Sequence, residues 1–125
     1  MIATFDAVSD LLAEAGAVLD VDGIAAYEEE RSWIVAVAEE GNEAITIDYE
    51  EDFAKLFITA ALGTPPAAKR AATHTFMLEY NAMWTDTGGV RLGLSPESGD
   101  ILLIHDLPLA GLTPEILHRT LSTFI

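Results

Sequence analysis

Hydrophobic residues recur along this chain with two periods, and the changes from one to the other lay out its elements. In TFDAVSDLLAEAG, residues Phe5, Val8, Leu11, Leu12 and Ala15 recur at helical spacing and form one apolar stripe. Thr4 or Asp6 supplies a cap, acids crowd the first turns where the helix dipole favours them, and Gly16 ends the element. The next stretch, AVLDVDGIAAYEEER, is ambiguous and reads as a turn at Asp22-Gly23 with a short or irregular extended piece. Three strands then follow. Trp33, Val35 and Val37 alternate with Ile34, Ala36 and Ala38, and Glu39-Glu40-Gly41-Asn42 makes the turn. Ile45, Ile47 and Tyr49 alternate with Ala44, Thr46 and Asp48, the period-2 pattern of a sheet with one wet face. After the charged loop Glu50-Glu51-Asp52, KLFITAALG is a third β segment, and connections this short imply an antiparallel meander.

Gly63-Thr64-Pro65-Pro66 stops the strand and starts a helix, with Thr64 as its cap and proline tolerated in the first turn. This longest helix is expected from Ala67 to about Thr85. Its apolar residues spread widely: Ala72, Phe76, Tyr80 and Met83 take one face, while Met77, Leu78 and Trp84 extend it sideways. Either it is deeply buried or a second molecule covers its outer side. Val90, Leu92 and Leu94 form a strand, Ser95 to Gly99 a tight connection, and Ile101–Ile104 another strand. Thr113-Pro114-Glu115 then opens a closing helix carrying Ile116, Leu117, Leu121 and Phe124. The expected fold is a single α+β domain over residues 1–125. It has two layers, a strongly twisted antiparallel sheet and three helices in the order α-β-β-β-α-β-β-α. Sheet edges remain, and an apolar edge strand such as Ile101–Ile104 is reactive unless another chain pairs with it.

Composition narrows the partners. The 125 residues are half hydrophobic and contain no cysteine, which excludes disulfides and thiol chemistry and fits a reducing compartment. The net charge is −15, and fifteen of the 21 acids precede residue 53. Such a field disfavours nucleic acid and anionic membrane surfaces; it suits solubility, or attraction of a basic partner. MIATFDAVSD has no basic region before an apolar run, so a signal peptide is not expected, and the apolar runs are strand-sized.

Catalytic chemistry finds little support. His74 has no second histidine at metal-ligand spacing, His105 and Asp106 are strand neighbours that point to opposite faces, and His118 lies between Glu115 and Arg119. No Gly-x-Ser-x-Gly elbow is present, and Gly88-Gly89 lacks the sequel of a phosphate loop. Asp20-Val21-Asp22-Gly23 opens like a calcium loop, but its glycine comes too early and the twelfth position is Arg31. No cofactor, metal or catalytic residue is expected.

Four segments carry a resemblance over nearly the whole chain: LLAEAG closing the first helix, LFITAALGTPP, FMLEYN at Phe76–Asn81, and RLGLSPESGDILLIHDLPLAGLTPEIL. In order and spacing the chain resembles the class I type III secretion chaperones, the Tir-chaperone family of small acidic bacterial proteins. The resemblance implies a cytoplasmic homodimer that binds the N-terminal segment of a secreted effector in extended form and keeps it soluble and secretion-competent, without ATP. It implies a dimer interface at Phe76, Met77, Tyr80, Met83, Trp84, Val90, Leu92 and Leu94. It implies effector contacts at Phe5, Val8, Leu12, Trp33, Val35, Ile101 and Leu103. For each of these effector residues, core packing is the alternative role. Two other readings compete: a dimerisation or regulatory module without a secretion role, and a small enzyme or ligand-binding domain. The enzyme would need polar groups converging from among His74, His105, Tyr49 and nearby carboxylates.

Overall fold

The computed structural model describes residues 4–18, 21–37, 44–83, 85–87 and 89–124. Among them are helices α1 (Phe5–Gly16), α2 (Arg70–Ala82) and α3 (Pro114–Phe124). The strands are β1 (Val21–Tyr27), β2 (Ser32–Val37), β3 (Ala44–Glu50), β4 (Lys55–Gly63), β5 (Arg91–Leu94) and β6 (Ile101–Pro108). The α+β class and antiparallel sheet agree with the sequence, with one strand more before α2 than the period-2 pattern marked. That strand is β1, the ambiguous stretch: all of it except Asp22 pairs with β2, with a register shift at Val21/Gly23. The expected Glu39–Asn42 turn lies outside the described residues.

Local chemistry sets the helix ends. The Thr4 hydroxyl accepts from the Ala7 N–H at 3.2 Å, and the Thr113 hydroxyl does the same for Ile116 at 3.2 Å. Thr64, in contrast, does not cap α2. Its hydroxyl donates to Asp100, the chain winds through a 3-10 turn at Ala67–Lys69, and the α-helix is shorter than the apolar spread suggested. The β1–β2 turn places Arg31 in the left-handed region (φ 54°), and its N–H donates to the Glu28 carbonyl.

Strands run in the order β1-β2-β3-β4-β6-β5, each pair antiparallel. After β4 the chain crosses through α2 to β5 and returns through β6 between the two. The expectation of an exposed Ile101–Ile104 edge is thereby corrected: β6 pairs on both sides, and the edges are β1 and β5. Register puts Trp33 beside Ile47, Val35 beside Ile45 and Ile47 beside Ile58 on one face. α1 and α3 cover that face, burying Val8, Leu12, Leu117 and Leu121. The Phe5 ring stacks on Trp33 at 4.3 Å, Tyr49 meets both edge-on, and the Trp33 indole donates to the Ser9 hydroxyl at 2.8 Å.

Alternation sends Ile34, Thr46, Phe57, Thr59 and Ile104 to the opposite face, where they are half-buried. There Lys55 Nζ and Arg91 Nη1 each donate to Asp106 at 2.8 Å. The Lys55 hydrogen bond, followed by that of Arg91, holds the Asp106 carboxyl below its ordinary range against partial burial. Burial, reinforced by Glu50, pushes Asp48 the other way.

Two measurements check this arrangement. Leu12→Ala is expected to cost about 2–5 kcal/mol in urea unfolding, whereas Val18→Ala, at an exposed position, stays within about 0.5 kcal/mol; a small cost at Leu12 would remove it from the core. The two aspartates predict opposite pH effects. Asp106, with a depressed native pKa, contributes stability above its unfolded value near ~4 and loses it as pH falls through the native value. Asp106→Asn therefore lowers stability at pH 7 by about 1 kcal/mol, since both cations are partly exposed, and the deficit closes in acid. Asp48, raised by folding, favours the native state only below about pH 4 and loses that benefit as pH rises through its native value. Asp48→Asn therefore stabilises at pH 7, and the gain fades toward acid. Parallel pH profiles for the two variants would contradict these assignments.

Candidate protein-binding surface

The seven residues assigned to effector contact fall mostly inside the domain. Phe5, Val8, Leu12, Trp33 and Val35 are buried under α1, Ile101 is buried, and Leu103 is half-buried. This corrects their placement on a free patch. They occupy the sheet-facing side of α1 and the helix-facing side of β2, and those two surfaces consume each other. The elements still frame a surface, in which Trp33 and Phe5 of the seven take part beside other residues. Between α1 and edge strand β1 lies a cleft of ≈ 390 Å³ lined by Ser9, Ala13, Gly16, Ile24, Ala26 and the floor residue Trp33. Glycine at residue 16 leaves room for the tip of Ile24: a Cβ there would sit 2.8 Å from Ile24 Cδ1. Among the described residues, no strand lies beside the outer edge of β1 in the sheet.

A second cleft, of ≈ 480 Å³, opens at the end of α1 and is lined by Phe5, Asp6, Glu28, Arg31, Tyr49 and Glu51, among others. The Arg31 guanidinium lies 5.7 Å from the Phe5 ring centre and 5.5 Å from that of Tyr49, with Glu51 at 3.9 Å. One cation thus faces three carboxylates, and the mouth is acidic.

The residues assigned to dimerisation divide. Phe76 and Met83 are 57% and 50% exposed, and Leu94 is also exposed. Tyr80 and Leu92 are half-buried, whereas Met77 and Val90 are buried within the chain. Trp84 lies outside the described residues. α2 packs on β5, so its outward side is left as a greasy ridge, with the Phe76 and Tyr80 rings 6.1 Å apart. Leu78, Phe53 and Leu62 are further exposed apolar residues that the site assignment lacked. The letters of Leu78 and Leu12 are the same; only what stands opposite each differs.

Among the described residues, the three histidines lie on different elements. His74 is on α2, His105 on β6 and His118 on α3. His118 lines a cleft with Glu14 and Glu115, while His105 keeps Nδ1 buried with no hydrogen-bond partner among the described residues. Tyr49 meets carboxylates in the acidic cleft, but neither His74 nor His105 lines it. Among the described residues no group of three His, Asp or Glu side chains could hold a metal, and no helix is long and apolar enough to cross a membrane.

Solved structures share this fold. One of the HopA1–SchA chaperone–effector complex matches at TM-score 0.68 and 16% identity, over 92% of this chain and 84% of that one. One of the ExsC–ExsE complex matches at TM-score 0.69 and 21% identity, over 98% of this chain and 87% of that one. No curated protein sequence matches the chain. The model of the Tir chaperone protein (CesT) family matches residues 10–125, and the chain therefore belongs to that family of type III secretion chaperones.

Proposed function

We propose that this protein is a non-catalytic cytoplasmic chaperone that works as a homodimer and holds the N-terminal segment of an effector in extended form, keeping it soluble and competent for secretion. The observation that carries the reading is a free strand edge, β1, beside an apolar cleft, on a chain of the Tir-chaperone family. The fold is shared with the SchA and ExsC complexes, the first of which is a chaperone–effector complex. An extended client segment adds to β1 by main-chain hydrogen bonds, which tolerate many sequences, and sets alternate side chains into the α1–β1 cleft, which selects apolar ones. A segment ordered only on binding loses entropy, so it must cover a large surface. The acidic cleft at Asp6, Glu28 and Glu51 favours basic residues in that client, and the net charge of −15 keeps the apolar surface from self-aggregating.

Dimerisation covers the α2 ridge. Burying each of Phe76, Leu78 and Met83 is worth about 1.5–3 kcal/mol, enough to favour association when several act together.

Light scattering should give twice the chain mass of 13.4 kDa, and Leu78→Asp should return it to one chain with an unchanged circular dichroism spectrum. A mass that ignores this charge sinks the interface. For the client, the probe is the N-terminal segment of the secreted protein encoded beside this gene. Mixing should protect it from protease, and Ala13→Trp, which fills the cleft, should weaken protection at least about tenfold while the dimer mass stays constant. Binding no tighter than that of an unrelated basic peptide would refute the chaperone reading.

A further inference from the structure

The two edges of the sheet are not equivalent. Asn81, near the end of α2, accepts the Leu92 N–H through Oδ1 and donates through Nδ2 to the Leu92 carbonyl, both at 2.8 Å. A carboxamide carries a donor and an acceptor side by side, the pair that a neighbouring strand would present. One residue to the N-terminal side of β5, the Val90 N–H is turned to the Thr87 carbonyl at 3.3 Å. At Leu92 and the Val90 N–H, the main chain on the outer side of β5 is thus engaged without a strand. Among the described residues no side chain engages the main chain of β1 in this way. Asparagine is a poor helix former, so its place in α2 is not explained by helix propensity.

We infer that Asn81 assigns the two edges their roles, closing β5 to an added strand so that main-chain pairing with a client is confined to β1. The client half rests on the strand-addition reading above; the closure of β5 does not. A second copy placed against α2 and β5 then meets them through side chains, and the sheet does not continue from one copy into the next. An open β5 would be a second template for pairing, and chains with two open edges can join into strings instead of closed assemblies.

The test is Asn81→Leu, which keeps the branched shape of the side chain and removes both bonds. At concentrations where the variant still has the wild-type mass, hydrogen exchange of the Leu92 amide should become about 100-fold faster. At higher concentrations light scattering should show a mass that climbs beyond the wild-type value, with circular dichroism unchanged. A Leu92 amide still protected at the wild-type mass would mean that Asn81 does not hold it, and would overturn the inference. So would a released amide with the wild-type mass at every concentration. The wild-type protein supplies a check that needs no variant: Leu92 should exchange more slowly than the outward amides of β1, and the reverse order would refute the closure of β5. No client enters these measurements. Failure of Ala13→Trp to affect client protection would count against the β1 site, and leave the exchange at Leu92 untouched.

Discussion

The indole of Trp33 fixes the layout of this domain. Its ring stacks on Phe5, its N–H reaches Ser9, and both partners lie on α1, so one side chain holds the helix to the second strand at two points. An indole is large enough to fill the space between layers, and its single donor must find an acceptor when buried. With α1 anchored there, Val8 and Leu12 descend onto the sheet, and α3 packs alongside. The far side of the helix overhangs β1, and the cleft is that overhang.

From this follows an uneven division of apolar surface. Two helices are committed to one sheet face, and the third stands at the β5 end with Phe76 and Leu78 turned outward. The opposite face uses Ile34, Phe57 and Ile104 around the Lys55–Asp106–Arg91 ion cluster. Aggregation is opposed by the acidic surplus, and the β1–β2 turn, with its three glutamates, brings that charge to the mouth of the second cleft. The proposed chaperone role draws on what this division leaves over, the sheet edges and the uncovered faces.

How much of this the sequence reveals depends on how local the cause is. α1 and α3 are legible because their caps, Thr4 and Thr113, and their apolar stripes lie within a few residues of one another. β3 is legible because its alternation is uninterrupted. β1 is not: Gly23, Ala25 and Ala26 have little strand preference, and pairing with β2 decides their conformation. The inward position of β6 depends on where the α2 crossover lands, which no pattern within IleLeuLeuIle reports. Whether the proposed effector residues are core or surface is illegible for the same reason. A helical stripe of Phe, Val and Leu identifies a buried side without saying whether the cover belongs to the same molecule. Asn81 did leave a signal, a polar residue of low helix preference in the otherwise helical FMLEYN, and its meaning appears only once β5 is beside it.

The missing carbon at Gly16 has a mechanical consequence. Ser9, bonded to the indole, and Gly16, pressed close to Ile24, are seven residues apart on α1, about 10 Å along the axis. The first acts as a pin and the second as a bare seat. A methyl group on the seat would displace the tip of the Ile24 side chain, which lines the trough. The shape of that end is accordingly set by one atom that the chain leaves out.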